Sequence, residues 1–284
     1  MLTIIRGFII ALSCAALFFV TSEGVHAATL TLPHSHDFSA LAPWSKVSNG
    51  ASIVNAPSAA PGSSASSLRF AYPKGFVNGD SPDKVWATFS PSATELWTQY
   101  YFMYSSNYYF HTVDNKQMYW YVDDSTLSSN WYITCAGTMK MNMVYQRSPG
   151  SGRYEGNTSY NPTITSGVWY KVTTRAVLNT GSQSNGIFQL WIYDESTKTD
   201  RLVIDVKNVP YLTGTDVNKK VGSLAFDPIF GGSAGLSKPA EDYFYIDNVK
   251  ISVDGNGYLS TGDGSGGNTS PPLVPMAPSN IGIQ

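Results

Sequence analysis

Two cationic side chains, Lys171 and Arg175, stand four residues apart in residues 167–181, GVWYKVTTRAVLNTG. In an extended strand Lys171, Thr173 and Arg175 share one side, and Tyr170, Val172, Ala176 and Leu178 share the other. A row of cations on a sheet can hold anions, and burying it unpaired would cost several kcal/mol. The cationic side is therefore expected to lie on an open, concave sheet face. Rings and amides recur at the same spacing elsewhere: Gln99 and Tyr101 in ELWTQYYFMY, Trp191 and Tyr193 in FQLWIYD. Flat rings flanked by amides suit stacking and polar contact with a sugar ring. Tyrosine is commoner than phenylalanine or tryptophan (18 against 13 and 7). Strand propensity alone also favours tyrosine.

Other chemistries find little support. His34 and His36 form H-x-H beside Asp37, but no third ligand accompanies them, so no metal is expected. No acidic D-x-D-x-D-G loop points to calcium. There is no G-x-S-x-G elbow, P-loop or dinucleotide glycine motif. Paired carboxylates could hydrolyse a glycosidic bond, but the E-x-D-x-x-E strand of sandwich glucanases is absent, and the acidic residues fall mostly at strand ends. No cofactor is expected.

The elements that would position these residues are strands. Residues 167–194 read as two strands and a turn, with Phe188, Leu190 and Ile192 on the apolar side of the second. Neither face of residues 95–104 is clearly polar, as for a central strand covered on both sides. Further strands are expected at 29–32, 51–54, 68–72, 85–89, 116–122, 131–134, 138–145, 201–206, 221–225 and 243–253. In KQMYWYV (116–122), strict alternation places Gln117, Tyr119 and Tyr121 on one side and Met118 and Trp120 on the other. Residues 56–67 and 148–163 read as loops rich in small and polar residues, and 227–239 as a glycine-rich loop. Helix signals are almost absent. The pattern predicts an all-β jelly-roll sandwich of two antiparallel sheets.

Residues 1–27 have the form of a secretory signal, with Arg6, an apolar run and a small-x-small site ending at Ala27. The run is shorter than the ~20 residues that span a bilayer. An exported protein, free of the membrane after cleavage and monomeric, is expected. Cys135 is the only cysteine beyond the signal, which excludes an internal disulfide. A formal net charge of −2 gives no sign of nucleic-acid binding. One domain is expected over 28–253, followed by a flexible Gly/Ser/Pro-rich tail over 254–284.

The strand pair GVWYKVTTRAVLNTG…NGIFQLWIYD resembles the hallmark pair of concanavalin A-like polysaccharide lyases: the alginate, glucuronan and heparin lyase-like jelly rolls. ELWTQYYFMYSSNYYF is similar to their E-[lv]-[wy]…Y-x-[vm]-x-[fy] strand, and AFDPIFGG…DYFYIDNVKIS to their closing strand. The resemblance covers nearly the whole domain and implies β-elimination on a uronate-containing, anionic polysaccharide. That reaction needs a group to neutralise the carboxylate, a base for the adjacent proton, and an acid for the leaving oxygen. The family's K-L-P-G lysine falls on Lys116, although Gln117, Met118 and Tyr119 follow it here. The resemblance makes Lys116 the neutralising group or base, with Tyr119 or Tyr121 as acid or base and His111 as a further candidate base. Substrate contacts are implied for Gln99, Tyr101, Gln117, Lys140, Asn142, Lys171, Arg175 and Trp191. The family's tyrosine-paired strand falls on TMKMNMVY, where Lys140, Asn142 and Tyr145 stand. The same fold without catalysis would serve as a glycan-binding or surface protein. Convergence of Lys116, Tyr119 or Tyr121, and Arg175 on one concave face would favour the lyase; their pointing into different layers would favour the binding protein.

Overall fold

The computed structural model describes residues 29–122, 129–147, 151–232 and 235–260. The expected signal segment and the tail beyond residue 260 lie outside these. In chain order the strands are β1 (Thr29–Thr31), β2 (His34–His36), β3 (Ser45–Lys46), β4 (Ala51–Asn55), β5 (Ser66–Tyr72), β6 (Val85–Ala93), β7 (Glu95–Tyr104) and β8 (Asp114–Val122). They continue with β9 (Ser129–Ala136), β10 (Met141–Arg147), β11 (Ser151–Glu155), β12 (Tyr170–Val177), β13 (Gly186–Asp194), β14 (Thr199–Val209), β15 (Val221–Phe226) and β16 (Asp242–Ser252). Among the described residues the only helical element is one 3₁₀ turn, Gly214–Asp216.

The strands form a jelly-roll β-sandwich of two mainly antiparallel sheets. Sheet A runs β1-β6-β15-β8-β9-β10-β11, with β3 on β6; sheet B runs β14-β13-β12-β7-β16-β5-β4, with β2 on β16. The parallel exception is β1 against β6. The chain changes sheets between β6 and β7, so neighbours distant in sequence, β6 with β15 and β7 with β16, lie side by side.

Alternation explains the core. Sheet A turns Met118, Trp120, Trp131, Ile133, Met141 and Met143 inward, and sheet B answers with Tyr100, Phe102, Val172, Phe188, Leu190 and Phe244. Each such side chain contributes about 1.5–3 kcal/mol on burial. Cys135 is free and fully buried, and burial pushes its thiol up to about 12, so it is unreactive.

Three differences from the sequence expectation matter for the site. Residues 151–155, read as part of a loop, form β11 against β10. Residues 254–260, assigned to the tail, fold back onto sheet B, where Tyr258 and Leu259 pack with Trp97, Trp191 and Leu202. Finally, β8 does not alternate strictly. Lys116 pairs with Thr134 but Met118 pairs with Ile133, leaving Gln117 as the extra residue of a β-bulge.

Candidate active site

The bulge decides which residues of β8 reach the outer face of sheet A. Strict alternation would turn Lys116 inward with Met118 and Trp120. The extra residue shifts the phase, so Lys116 emerges on the same side as Tyr119 and Tyr121. Backbone bonds hold it, with Asp227 N donating to Gln117 O (3.1 Å) and Lys116 N to Ile229 O (3.1 Å). Gln117 itself points into the core: Tyr100 donates to its Oε1 (2.7 Å), and its Nε2 donates to the Tyr104 hydroxyl (3.0 Å). The substrate contact expected of Gln117 is therefore corrected to a core role.

Neighbouring strands complete the face. Tyr132 lies opposite Tyr119, and Asn142 and Lys116 both flank Thr134. Tyr119, Tyr121 and Tyr132 form one cluster with Val144, Ala225, Trp86 and Ile229. The Tyr119 and Tyr121 rings stack with centroids 5.8 Å apart, and Tyr132 lies 4.7 Å from Tyr119. Lys116 Nζ sits 4.8 Å from the Tyr132 centroid and 6.0 Å from that of Tyr119. Lys84 Nζ lies 4.5 Å from the Tyr121 centroid. On the β11 side Arg153 pairs with Asp114 at 2.7 Å, and with the Asn142 amide turned to suit its neighbours, Arg153 Nη1 donates to Asn142 (3.1 Å). Lys116 Nζ and the hydroxyls of Tyr119, Tyr121 and Tyr132 make no hydrogen bond among the described residues.

Burial sets the proton affinities. Desolvation lowers the Lys116 ammonium from its ordinary value, partly opposed by Asp114 and Asp227. Desolvation, with Asp227 adding to it, pushes the Tyr119 and Tyr121 phenols up. Tyr132 is pushed up to about 12, chiefly by burial. Asp227 is raised too, by burial, against the pull of Ser81, Lys84 and Lys116. The face thus offers an ammonium eased toward its neutral form and phenols held in their protonated form.

The other expected site residues lie elsewhere. His111 is fully buried in the turn before β8; its Nδ1 accepts from Val113 N (3.1 Å), and its ring meets Phe230 edge-on. It fixes that turn and does not reach the outer face of sheet A. Lys140 lies at the β9–β10 turn and donates to the Asn161 carbonyl, pinning the loop before β12. Gln99, Tyr101, Lys171, Arg175 and Trp191 occupy the outer face of sheet B, across the sandwich from Lys116.

That face is not the open cationic groove the alternation suggested. The inward set of β12 is as expected, but the outward set is covered and paired. Lys171 is 8% exposed and bonds Asp200 at 2.9 Å. Arg175 Nε bonds Glu95 (2.8 Å), its Nη1 donates to Gln189 (3.2 Å), and its guanidinium lies over Trp97. Trp191 stacks on Trp97 at 5.6 Å in a cluster with Tyr258, which removes it as a platform for sugar. Gln99 donates to Thr173 (2.9 Å) and to the Tyr258 carbonyl (2.7 Å). The structure brings together Lys116, Tyr119, Tyr121 and Asn142, and separates them from Arg175.

Sequence reasoning missed Tyr132, Arg153, Asp114 and Asp227 at this face. Alternation in SGRYE, with Arg153 outward and Tyr154 inward, was the available signal for β11.

No family model matches the chain, and no curated protein does. Solved structures do. The marine PL-14 alginate lyase from Aplysia kurodai superposes with a TM-score of 0.55 at 15% identity, covering 75% of this chain and 91% of that one. The endo-β-1,4-glucuronan lyase from the fungus Trichoderma reesei gives 0.50 at 13% identity, covering 82% and 96%. At such identities the likeness establishes the fold alone, a jelly-roll sandwich.

Proposed function

We propose that this is a secreted polysaccharide lyase acting on a uronate-containing polymer at the outer face of sheet A. The observation that carries the reading is the β8 bulge, which sets Lys116 among three phenols, none of them hydrogen-bonded among the described residues. Asn142 and Arg153 border the face; a substrate carboxylate there would share Arg153 with Asp114, and its neutralisation acidifies the adjacent C–H. Lys116, with its lowered proton affinity, takes that proton as the free amine. Tyr119 or Tyr121, held as neutral phenols, gives a proton to the departing 4-oxygen. The electron pair of the broken C–H bond becomes the new double bond, and the C–O pair leaves with the oxygen. The likeness in fold to an alginate lyase and a glucuronan lyase supports an anionic polysaccharide as substrate.

The test is absorbance of the unsaturated uronate product with alginate, glucuronan, pectate and heparin-type polymers. Lys116→Met, and Tyr119→Phe combined with Tyr121→Phe, should each lower turnover at least about 100-fold, the ordinary weight of a general acid or base. Cleavage that survives both changes would sink the proposal.

A binding protein without catalysis is the second reading. It is favoured by the separation of Arg175, on sheet B, from Lys116 and the tyrosines, on sheet A. It predicts polyuronate binding at this face with no product from any polymer.

A further inference from the structure

A second bulge, in β16, builds a different site on the opposite sheet. Asp247 pairs with Tyr101 of β7, but the next pairing joins Lys250 to Gln99, and the register shifts between them. Asn248 takes the left-handed backbone there, φ 48°. The irregularity turns Val249 into the core and leaves Lys250 exposed on the outer face. Beside it opens a pocket of about 310 Å³, with Gln99, Tyr101, Asn248, Lys250 and Ser260 in its lining. That is the small end of ligand sites, roughly 300–1,000 Å³, with room for one sugar ring.

The free valences of the pocket define a ligand. Lys250 Nζ has no partner among the described residues, and no carboxylate lines the pocket. Gln99 spends both its hydrogen bonds through Nε2, and Asn248 Nδ2 donates to the Pro61 carbonyl, so Gln99 Oε1 and Asn248 Oδ1 remain open acceptors. Tyr101 is half-buried, with an unpartnered hydroxyl and a ring wall. The second lysine in the lining, Lys171, is committed to Asp200. Two open amide oxygens call for hydroxyl donors, which free phosphate or sulfate supplies poorly. The lone ammonium calls for an anion, which a neutral sugar lacks. A pyranose carrying a carboxylate meets both demands and can lay its face on Tyr101.

We infer that this pocket is a second, non-catalytic site that holds one acidic sugar residue, on the sheet opposite Lys116. It would give the protein a grip on a uronate-bearing chain independent of any chemistry at sheet A.

The test is an amide NMR titration of the full chain with methyl β-glucuronide, which a lyase cannot cleave, alongside methyl β-glucoside and inorganic phosphate. Shifts should appear at Gln99, Tyr101, Asn248 and Lys250. Lys250→Ala and Tyr101→Ala, each with an unchanged melting temperature, should weaken binding at least about tenfold, while Lys116→Met leaves it unaltered. Three results overturn the inference: shifts confined to sheet A, Lys250→Ala binding as the parent does, or the glucoside or phosphate matching the glucuronide. The first also leaves the sheet A proposal standing, so the two fail separately. If polymer cleavage is absent but the pocket shifts appear, only the sheet A chemistry is lost.

Discussion

Replacing Gln117 with Leu separates a core role from a substrate contact. The side chain accepts from Tyr100 at 2.7 Å and donates to Tyr104 at 3.0 Å, and all three residues are buried. Leucine fills a similar volume but satisfies neither hydroxyl. Tyr100 loses its hydrogen-bond partner outright; Tyr104 keeps a long contact to the Asn115 carbonyl at 3.5 Å. A buried polar group left unpaired costs about 1–3 kcal/mol. Counting Tyr100 in full and Tyr104 in part, the variant should lose roughly 2–4 kcal/mol, some of it returned by leucine's apolar surface. For a domain of this size that is about 2–4 °C per kcal/mol. Urea unfolding, with matched m-values, measures the loss. Adding Tyr100→Phe removes the stranded hydroxyl, so the double variant should be more stable than the two single losses summed, by at least about 1 kcal/mol. Binding of polyuronate by the folded fraction should hardly change. A loss under about 0.5 kcal/mol, or strict additivity with Tyr100→Phe, would refute the reasoning.

Cleavage by Lys116 as free amine should rise with pH through a midpoint below the ~10.4 of an ordinary lysine, because burial lowers its proton affinity; a rate that falls over that range contradicts the assignment. Lys238, fully buried and paired with Asp242 at 2.9 Å, is drawn down to about 8 by burial. Lys238→Met strands that carboxylate and should cost about 3–5 kcal/mol by denaturant unfolding, with Asp242→Asn in the same chain recovering much of it. Arg175→Ala, which the bare alternation makes a groove variant, should leave polyuronate affinity within about twofold by titration calorimetry. Its half-exposed pair with Glu95 should be worth at most about 1 kcal/mol in melting experiments.

The sandwich was legible because its strands repeat with a period of two over long stretches. The inward sets of β12 and β13 were read correctly from Val172, Ala176, Phe188, Leu190 and Ile192. The site was legible in part. Lys116 was reached by resemblance alone, since alternation through KQMYWYV turns it to the core; an inserted residue leaves no mark in composition. Gln117 was misplaced for the same reason. Arg153 was hidden in a stretch whose glycines and serines carry little strand propensity. The cover over sheet B was hidden too: DGNGYLS (254–260) offers only Tyr258 and Leu259 as apolar anchors, and its docking rests on Asp200 accepting from Ser260 N and on Gln99 donating to the Tyr258 carbonyl.

The two outer faces differ in what an arriving carboxylate must displace. At Lys171 it would compete with Asp200, whose side chain is fully buried and also accepts from Ser260 N at 2.6 Å. Drawing the lysine away leaves a buried charge unpaired, a loss of about 3–5 kcal/mol that one new ion pair at a solvated face cannot offset. At Arg175 the competitor is Glu95, backed by Gln189. At Lys116 no carboxylate is displaced: its Nζ rests on the Tyr132 and Tyr119 faces, a contact that leaves it open to a substrate. The cations that the alternation singles out, Lys171 and Arg175, are thus committed to carboxylates, whereas Lys116 on sheet A and Lys250 on sheet B make no ion pair among the described residues. Each of these two lysines stands at a bulge. In β8 the bulge is what brings Lys116 to the outer face while Met118 and Trp120 stay in the core.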